Sequence, residues 1–156
     1  MLEEKVIAEL TRQNLTITTA ESCTGGLIAA TLINVSGASM VLKEGYITYS
    51  NESKERILSV RRETLQKYGA VSRQVAEQMA EGAAKVAGAD AVLAATGIAG
   101  PDGGTEEKPV GLVYIGCYFK GRTVVQENLL RGNREEVRRQ TVEAALALLL
   151  DCMDEV

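Results

Sequence analysis

Residues 90–96 (DAVLAAT) restrict the fold of this chain more than any other segment, because they are almost entirely apolar. A short run that is apolar at consecutive positions, without alternating polar residues, is typical of a strand covered on both faces. Such strands lie at the centre of a sheet that has helices on either side. The segment therefore predicts an α/β protein.

Hydrophobic periodicity and turn residues divide the rest of the chain into alternating helices and strands. Helices are predicted over residues 2–13, 27–33, 52–58, 62–68, 73–87 and 134–153, and further strands over residues 15–20, 44–49, 111–119 and 122–130. The last two strands are joined by Lys120-Gly121, a hairpin signal. These elements predict a three-layer α/β/α sandwich with a mixed sheet, in a single domain over residues 1–156.

Composition and charge exclude several classes of protein. The 156 residues carry 17 basic and 21 acidic side chains, a net charge of −4. This balance argues against binding to nucleic acid or to anionic membranes. No apolar run is long enough for a signal peptide or a membrane span, so we expect a cytoplasmic protein.

The chain contains no histidine and only three cysteines, Cys23, Cys117 and Cys152, without a CxxC pattern. A structural zinc site or a disulfide framework is therefore not expected. The lack of histidine excludes Ser-His-Asp triads, Cys-His pairs and HExxH metal sites. A hydrolase of this sequence must move protons with lysine, tyrosine, arginine or a carboxylate.

Three polar, glycine-containing segments follow predicted strands, at residues 21–26, 96–104 and 132–134. In open α/β sheets, ligands bind outside the carboxyl ends of the strands, so the first two segments could meet in one crevice. Each segment taken alone also fits an ordinary turn, since glycine is common wherever φ is positive.

Ser22 is the candidate nucleophile, because it lies between a strand and the N-terminus of a helix. Backbone N–H groups of Thr24, Gly25 or Gly26 could there stabilise a developing negative charge. On the residues alone, a helix-capping role for Ser22 fits equally well. Cys23 is the rival nucleophile, because thiols at helix N-termini can be reactive. It could instead be a small hydrophobic residue buried in the core.

Lys54 is the candidate base, since it follows a strand end closely. A free lysine titrates near pH 10.4 and an effective base near about 7–8, so the site would have to lower the pKa by about 3 units. The alternative is a solvated lysine on a helix surface. Arg134, at a helix N-terminus, could bind a phosphate, whereas Arg138 and Arg139 are predicted to pair with glutamates of the same helix on an exposed face.

Six motifs in order resemble the C-terminal domain of the competence/damage-inducible protein CinA, which also occurs alone as the nicotinamide-nucleotide amidase PncC. The motifs are TAESCTGG at residues 19–26, GYITYSN at 45–51, GAVS at 69–72, TGIAGPDGG at 96–104, EKPVG at 107–111 and VRRQ at 137–140. The resemblance covers essentially the whole chain. Many relatives carry serine where this chain has Thr96, a change that keeps the hydroxyl group.

The resemblance implies a small α/β domain that hydrolyses nicotinamide mononucleotide to nicotinic acid mononucleotide and ammonia, in the recycling of pyridine nucleotides. It also implies a homodimer or a larger homo-oligomer, and no metal or other cofactor. Ser22 is then the nucleophile, Tyr49 and Lys54 are its activating neighbours, and Arg134 is a catalytic or phosphate-binding cation. The substrate-binding residues would be Thr24, Gly25, Gly26, Thr96 and Gly97. Which of Tyr49, Lys54 and Arg134 accepts the proton is left open.

Two other functions are compatible with the sequence. The chain could be an inactive CinA-type module that binds a nucleotide or a protein partner. Phosphate-ester hydrolysis is a weaker alternative, because Glu21, Asp102 and Glu106 form no recognisable metal cage. Full-length CinA carries an N-terminal nucleotide-pyrophosphatase-like domain that this chain lacks, so we expect either a stand-alone enzyme or an excised domain.

Overall fold

A computed structural model describes residues 1–154 and contains one five-stranded sheet. The strands are β1 (Ile17–Glu21), β2 (Tyr46–Ile47), β3 (Ala91–Gly97), β4 (Leu112–Phe119) and β5 (Arg122–Leu129). Their order across the sheet is β2-β1-β3-β4-β5. The first three strands are mutually parallel, whereas β4 and β5 run antiparallel to their neighbours. The mixed sheet predicted from the sequence is confirmed.

Helices cover both faces of this sheet. They are α1 (Leu2–Gln13), α2 (Leu27–Leu32), α3 (Asn51–Leu58), α4 (Arg62–Tyr68), α5 (Arg73–Ala87) and α6 (Arg134–Asp154), with a short 3₁₀ turn at Ala38–Met40. Buried side chains of α1, α2 and α6 form one hydrophobic core, and those of α3, α4 and α5 form the other. The single-domain, three-layer sandwich is thus as predicted. Within residues 1–154, no helix is long and apolar enough to span a membrane.

Strand β3 explains why the two cores can be built on one sheet. Its residues Ala91, Leu93 and Ala95 belong to the core under α1, α2 and α6, and Val92 and Ala94 belong to the opposite one. Alternate side chains of a strand point to opposite faces, so a strand that is apolar throughout supplies both cores. Because β1 and β3 pair in parallel, their carboxyl ends lie side by side.

The structure corrects the predicted bounds of two strands. The strand expected over residues 44–49 pairs with β1 only at Tyr46–Ile47, and β1 covers Ile17–Glu21 instead of the expected residues 15–20. The N–H group of Thr48 still donates to the Glu21 carbonyl, but the Thr48 carbonyl accepts a hydrogen bond from the side chain of Lys54. The ladder therefore ends where the backbone begins to bind a side chain of the site.

Candidate active site

Ser22 lies immediately after β1, at the carboxyl edge of the sheet. Its N–H group donates to the Ala95 carbonyl of β3 at 3.0 Å, and its own carbonyl accepts from Gly25 N–H at 3.1 Å. The Ser22 side chain is therefore held in a tight turn that starts from the centre of the sheet. This placement brings the segments at residues 21–26 and 96–104 together, as the order of the strands predicts.

Lys54 projects from α3 towards Ser22 and is only 1% exposed. Its Nζ atom lies 3.1 Å from Ser22 Oγ and 2.9 Å from the Thr48 carbonyl, with a longer contact of 3.5 Å to the Tyr49 carbonyl. Helix α3 begins in a capping box, in which Ser50 and Ser53 bind each other's backbone N–H groups. The sequence left open whether Lys54 is solvated, and the structure shows that it is buried beside Ser22.

Burial lowers the pKa of Lys54, because the charged ammonium is less well solvated there than the neutral amine. Among the described residues, no carboxylate forms an ion pair with Lys54 that would offset this effect. A neutral amine has two N–H donors and one lone pair. In the structure, Lys54 Nζ donates to Ser22 Oγ and to the backbone carbonyls of residues 48 and 49. Once the ammonium loses a proton, its two remaining N–H groups can stay on those carbonyls, and the lone pair can accept the Ser22 hydroxyl proton.

Cys23, the rival nucleophile, is 7% exposed and belongs to the core formed with α1, α2 and α6. Burial raises the pKa of its thiol to about 11. The thiol is therefore protonated at neutral pH, and it is the thiolate that reacts. The geometry favours the serine.

An open cavity of about 290 Å³ lies above Ser22 and Lys54. One wall is the loop that follows β3, from Gly97 to Gly103, and the other includes Tyr49, Asn51 and Arg134. A side chain at Gly97 would place Cβ 2.8 Å from the Leu112 carbonyl oxygen, so glycine is required there. Thr96 is buried, and its hydroxyl donates to the Ala70 carbonyl at 2.8 Å, which ties this wall to the segment before α5.

Arg134 and Tyr49 meet at the mouth of the cavity. Arg134 Nη1 donates to the Gly100 carbonyl at 2.9 Å, and Nη2 donates to the Tyr49 hydroxyl at 3.2 Å. Tyr49 is 63% exposed, and its hydroxyl makes no hydrogen bond to Ser22 or Lys54 in the described structure. The phenol is thus placed to contact a ligand or Arg134, and Lys54 is the side chain that forms a hydrogen bond with Ser22 Oγ in the described structure.

The family model of the CinA C-terminal domain matches residues 1–153 of the chain. The chain belongs to the CinA family. A protein of Clostridium novyi (strain NT), named provisionally as competence-damage inducible, is 57% identical over 95% of the chain. The CinA-like protein of Kosmotoga olearia is 54% identical over 93% of it. The chain spans 36% and 35% of the length of these two relatives.

Solved structures of CinA proteins have the same fold as this chain. The competence/damage inducible protein CihA from Agrobacterium tumefaciens is 45% identical and superposes with a TM-score of 0.94, covering 96% of this chain and 92% of its own. A CinA superfamily protein from Escherichia coli is 38% identical with a TM-score of 0.92, covering 96% of this chain and 87% of its own. The recognition made from the six motifs is confirmed.

Arg138 of this CinA domain has a position that the sequence did not predict. The expected pairing with a glutamate on an exposed face is wrong. Its Nε atom donates to the Cys23 carbonyl at 3.0 Å and its Nη2 atom to the Thr24 carbonyl at 2.9 Å. Arg134 and Arg138 are four residues apart and hence lie on the same side of α6. This spacing is the sequence feature that could have placed Arg138 near the site.

The residues Thr24, Gly25 and Gly26 do not line the cavity. Thr24 is completely buried, and the Gly25 N–H group is taken by the Ser22 carbonyl. These residues shape the turn that carries Ser22, and of this turn only Ser22 and Cys23 line the cavity.

Glu21 is the second residue whose role the sequence did not indicate. Its buried carboxylate accepts hydrogen bonds from the N–H groups of Ile28 at 2.8 Å and Ala29 at 3.0 Å. The carboxylate thus caps the N-terminus of α2, where a negative charge is favourable. No cluster of potential metal ligands occurs among residues 1–154.

Proposed function

We propose that this CinA domain is a nicotinamide-nucleotide amidase, which hydrolyses nicotinamide mononucleotide to nicotinic acid mononucleotide and ammonia. The contact of 3.1 Å between Lys54 Nζ and Ser22 Oγ carries the proposal, because it supplies a base for a serine nucleophile in a chain without histidine. The six motifs that resemble the amidase family support the choice of a carboxamide as substrate.

The acylation step begins when Ser22 Oγ attacks the carboxamide carbon and Lys54 Nζ accepts the hydroxyl proton. The tetrahedral intermediate collapses with cleavage of the C–N bond, and the proton on Lys54 passes to the leaving nitrogen, which departs as ammonia. The carboxyl carbon is then an ester of Ser22.

Water completes the reaction by attacking the ester carbon while Lys54 accepts one of its protons. Cleavage of the bond between that carbon and Ser22 Oγ releases the carboxylic acid, and Lys54 returns the proton to Ser22. The proton passes from Ser22 to Lys54 in the first step and from Lys54 back to Ser22 in the second. No group other than water is consumed, so the reaction is balanced without a cofactor.

Arg134 would hold the substrate phosphate at the mouth of the cavity. Two of its five N–H donors bind Gly100 and Tyr49, which leaves three for an anion. Thr96 and Gly97 would form the wall against the ring, and Thr24, Gly25 and Gly26 would act through the position of Ser22. The proposal includes a homodimer or larger homo-oligomer that works in the cytoplasm on a small-molecule substrate.

The test is release of ammonia from nicotinamide mononucleotide by the purified protein and by Ser22→Ala. We expect turnover by the unchanged chain and a loss of about 10³-fold or more in the variant, since the nucleophile is removed. Ser39→Ala, at an exposed serine away from the cavity, is the matched control and should retain full activity. Equal rates for Ser22→Ala and the unchanged chain would remove Ser22 from the role.

The same experiment distinguishes the amidase from a binding module. Stabilisation of the protein against heat by nicotinamide mononucleotide, without any release of ammonia, would favour the module. A panel of pyridine carboxamides with and without ribose phosphate would define the substrate class.

A further inference from the structure

Asp102 is the acidic residue of the cavity. Among the described residues that line it, Asp102 is the only aspartate or glutamate, and it lies in the same loop as Gly100, whose carbonyl binds Arg134. The loop is closed at its base by hydrogen bonds between Ile98 N–H and the Leu112 carbonyl, and between Gly111 N–H and the Ile98 carbonyl. Asp102 is therefore presented on a loop that the sheet anchors at both ends.

The carboxylate of Asp102 has no protein partner within residues 1–154. It forms no ion pair and accepts no side-chain or backbone hydrogen bond, although Arg134 lines the same cavity. The two guanidinium contacts of Arg134 go instead to uncharged oxygens. The cavity thus offers one negative and one positive group that do not neutralise each other by direct contact.

We infer that Asp102 is a specificity-determining residue, which selects substrates whose carboxamide is attached to a positively charged ring. The inference rests on the proposed function and refines its substrate class. A pyridinium nucleotide carries a cationic ring at one end and an anionic phosphate at the other. These charges are complementary to Asp102 and Arg134, respectively, and a ring without charge would lose the attraction to Asp102.

A matched pair of ligands isolates the charge of the ring. Nicotinamide mononucleotide and its 1,4-dihydro form share the ribose phosphate and the carboxamide, but only the first has a cationic ring. Dissociation constants for both are measured by calorimetry in a Ser22→Ala background, where hydrolysis does not interfere. The variants Asp102→Asn, Asp102→Glu and Glu106→Gln are compared in that background, and their thermal unfolding is recorded to verify that each one folds.

We expect Asp102→Asn to weaken binding of nicotinamide mononucleotide by about two- to fivefold, the range for an ion pair at an exposed carboxylate. Binding of the dihydro form should change by less than twofold. Glu106→Gln removes the same charge from an exposed site of the same loop outside the cavity, and should alter neither ligand. Asp102→Glu should preserve the preference for the cationic ring.

Three results would overturn the inference: equal effects of Asp102→Asn on the two ligands, no effect on either, or equal effects of Asp102→Asn and Glu106→Gln. Absence of any binding of nicotinamide mononucleotide would also overturn it. Failure of the proposed function is a different result, namely no ammonia from the unchanged chain. Because the binding measurement does not depend on turnover, the two failures are distinguishable.

Discussion

At the scale of single residues, Lys54 is the group on which the proposed chemistry depends. Replacement by methionine keeps most of the side-chain length but removes the nitrogen 3.1 Å from Ser22 Oγ. We expect Lys54→Met to lower kcat/KM for release of ammonia by about 10²–10⁴-fold, the usual effect of losing a general base. Lys43→Met, at an exposed lysine, is the control and should be fully active. Substantial activity in Lys54→Met would exclude the lysine as the base.

The proposed reaction should depend on pH in a way that follows from the lowered pKa of Lys54. Only the neutral amine can accept a proton, so kcat/KM should fall as the pH drops through that pKa and level off above it. The midpoint is expected below the ordinary lysine value of about 10.4. A profile that shows no acid limb below this value would contradict the assignment.

Stability should change with pH in the same direction. In the unfolded chain Lys54 keeps its proton up to about pH 10.4, whereas in the folded protein it loses the proton at lower pH. The unfolded state therefore binds more protons in this window, and the free energy of unfolding rises with pH there. Urea denaturation of the unchanged chain and of Lys54→Met, at several pH values within the window, should show a smaller rise in the variant.

Individual residues also show the limit of what the sequence could predict. The turn at Ser22 was predictable, because a strand, a polar glycine-containing turn and a helix follow one another along the chain. Burial of Lys54 was not, since it depends on a contact across 32 positions and on the loss of strand pairing at Thr48. Local patterns report neighbours along an element, and they carry no information on which distant backbone a long side chain will reach.

At the scale of elements, the first two turns of α6 connect the two sides of the site. Arg134 binds the loop after β3, and Arg138 binds the turn that carries Ser22. The pattern of α6 predicted an apolar inward face, with Arg138 and Arg139 on the exposed side. The inward face is indeed apolar, with Val137, Thr141 and Leu149 buried, but Arg138 lies over backbone carbonyls. Helical periodicity identified the apolar face of α6 correctly, but it could not identify the backbone carbonyls that the arginines bind.

Arg138 is therefore expected to be a positioning residue. Arg138→Ala removes the donors that fix the Cys23 and Thr24 carbonyls, and should lower kcat by about 10- to 100-fold while KM changes by less than twofold. Arg138→Lys should recover only part of the loss, because one ammonium cannot reproduce a planar fork. Arg139→Ala, at the exposed neighbouring residue, is the control for loss of charge. An unchanged kcat in Arg138→Ala, or an equal loss in Arg139→Ala, would disprove the role.

At the scale of the whole molecule, the sequence predicted the architecture more fully than the site. The three layers follow from periodicity and from the apolar run in β3, which are properties of whole elements. The site is assembled from α3, α6, the turn after β1 and the loop after β3, and these meet only when the sheet order is in place. The order β2-β1-β3 brings together segments that are far apart along the chain, so the site is a product of topology.

Packing between α3 and α5 then links the stability of the molecule to the geometry of the site. Gly82 of α5 lies against the carbonyl of Leu58, the last residue of α3, so closely that an added Cβ would overlap the carbonyl oxygen. Gly82→Ala must therefore push α3 away from α5, and α3 carries Lys54 one turn before Leu58. We expect the free energy of unfolding to fall by about 1–3 kcal/mol, and the proposed release of ammonia from nicotinamide mononucleotide to become slower.

Gly88→Ala is the control for this prediction. Gly88 ends α5 with φ of 63°, and an added Cβ would meet no atom within 4 Å, so alanine there is strained but displaces nothing. Its cost should be about 1 kcal/mol, with activity preserved for the molecules that remain folded. Denaturation in urea and release of ammonia, measured on the same preparations, give both quantities. If Gly82→Ala destabilises the fold but leaves kcat unchanged, the position of Lys54 does not depend on the packing of α3 against α5.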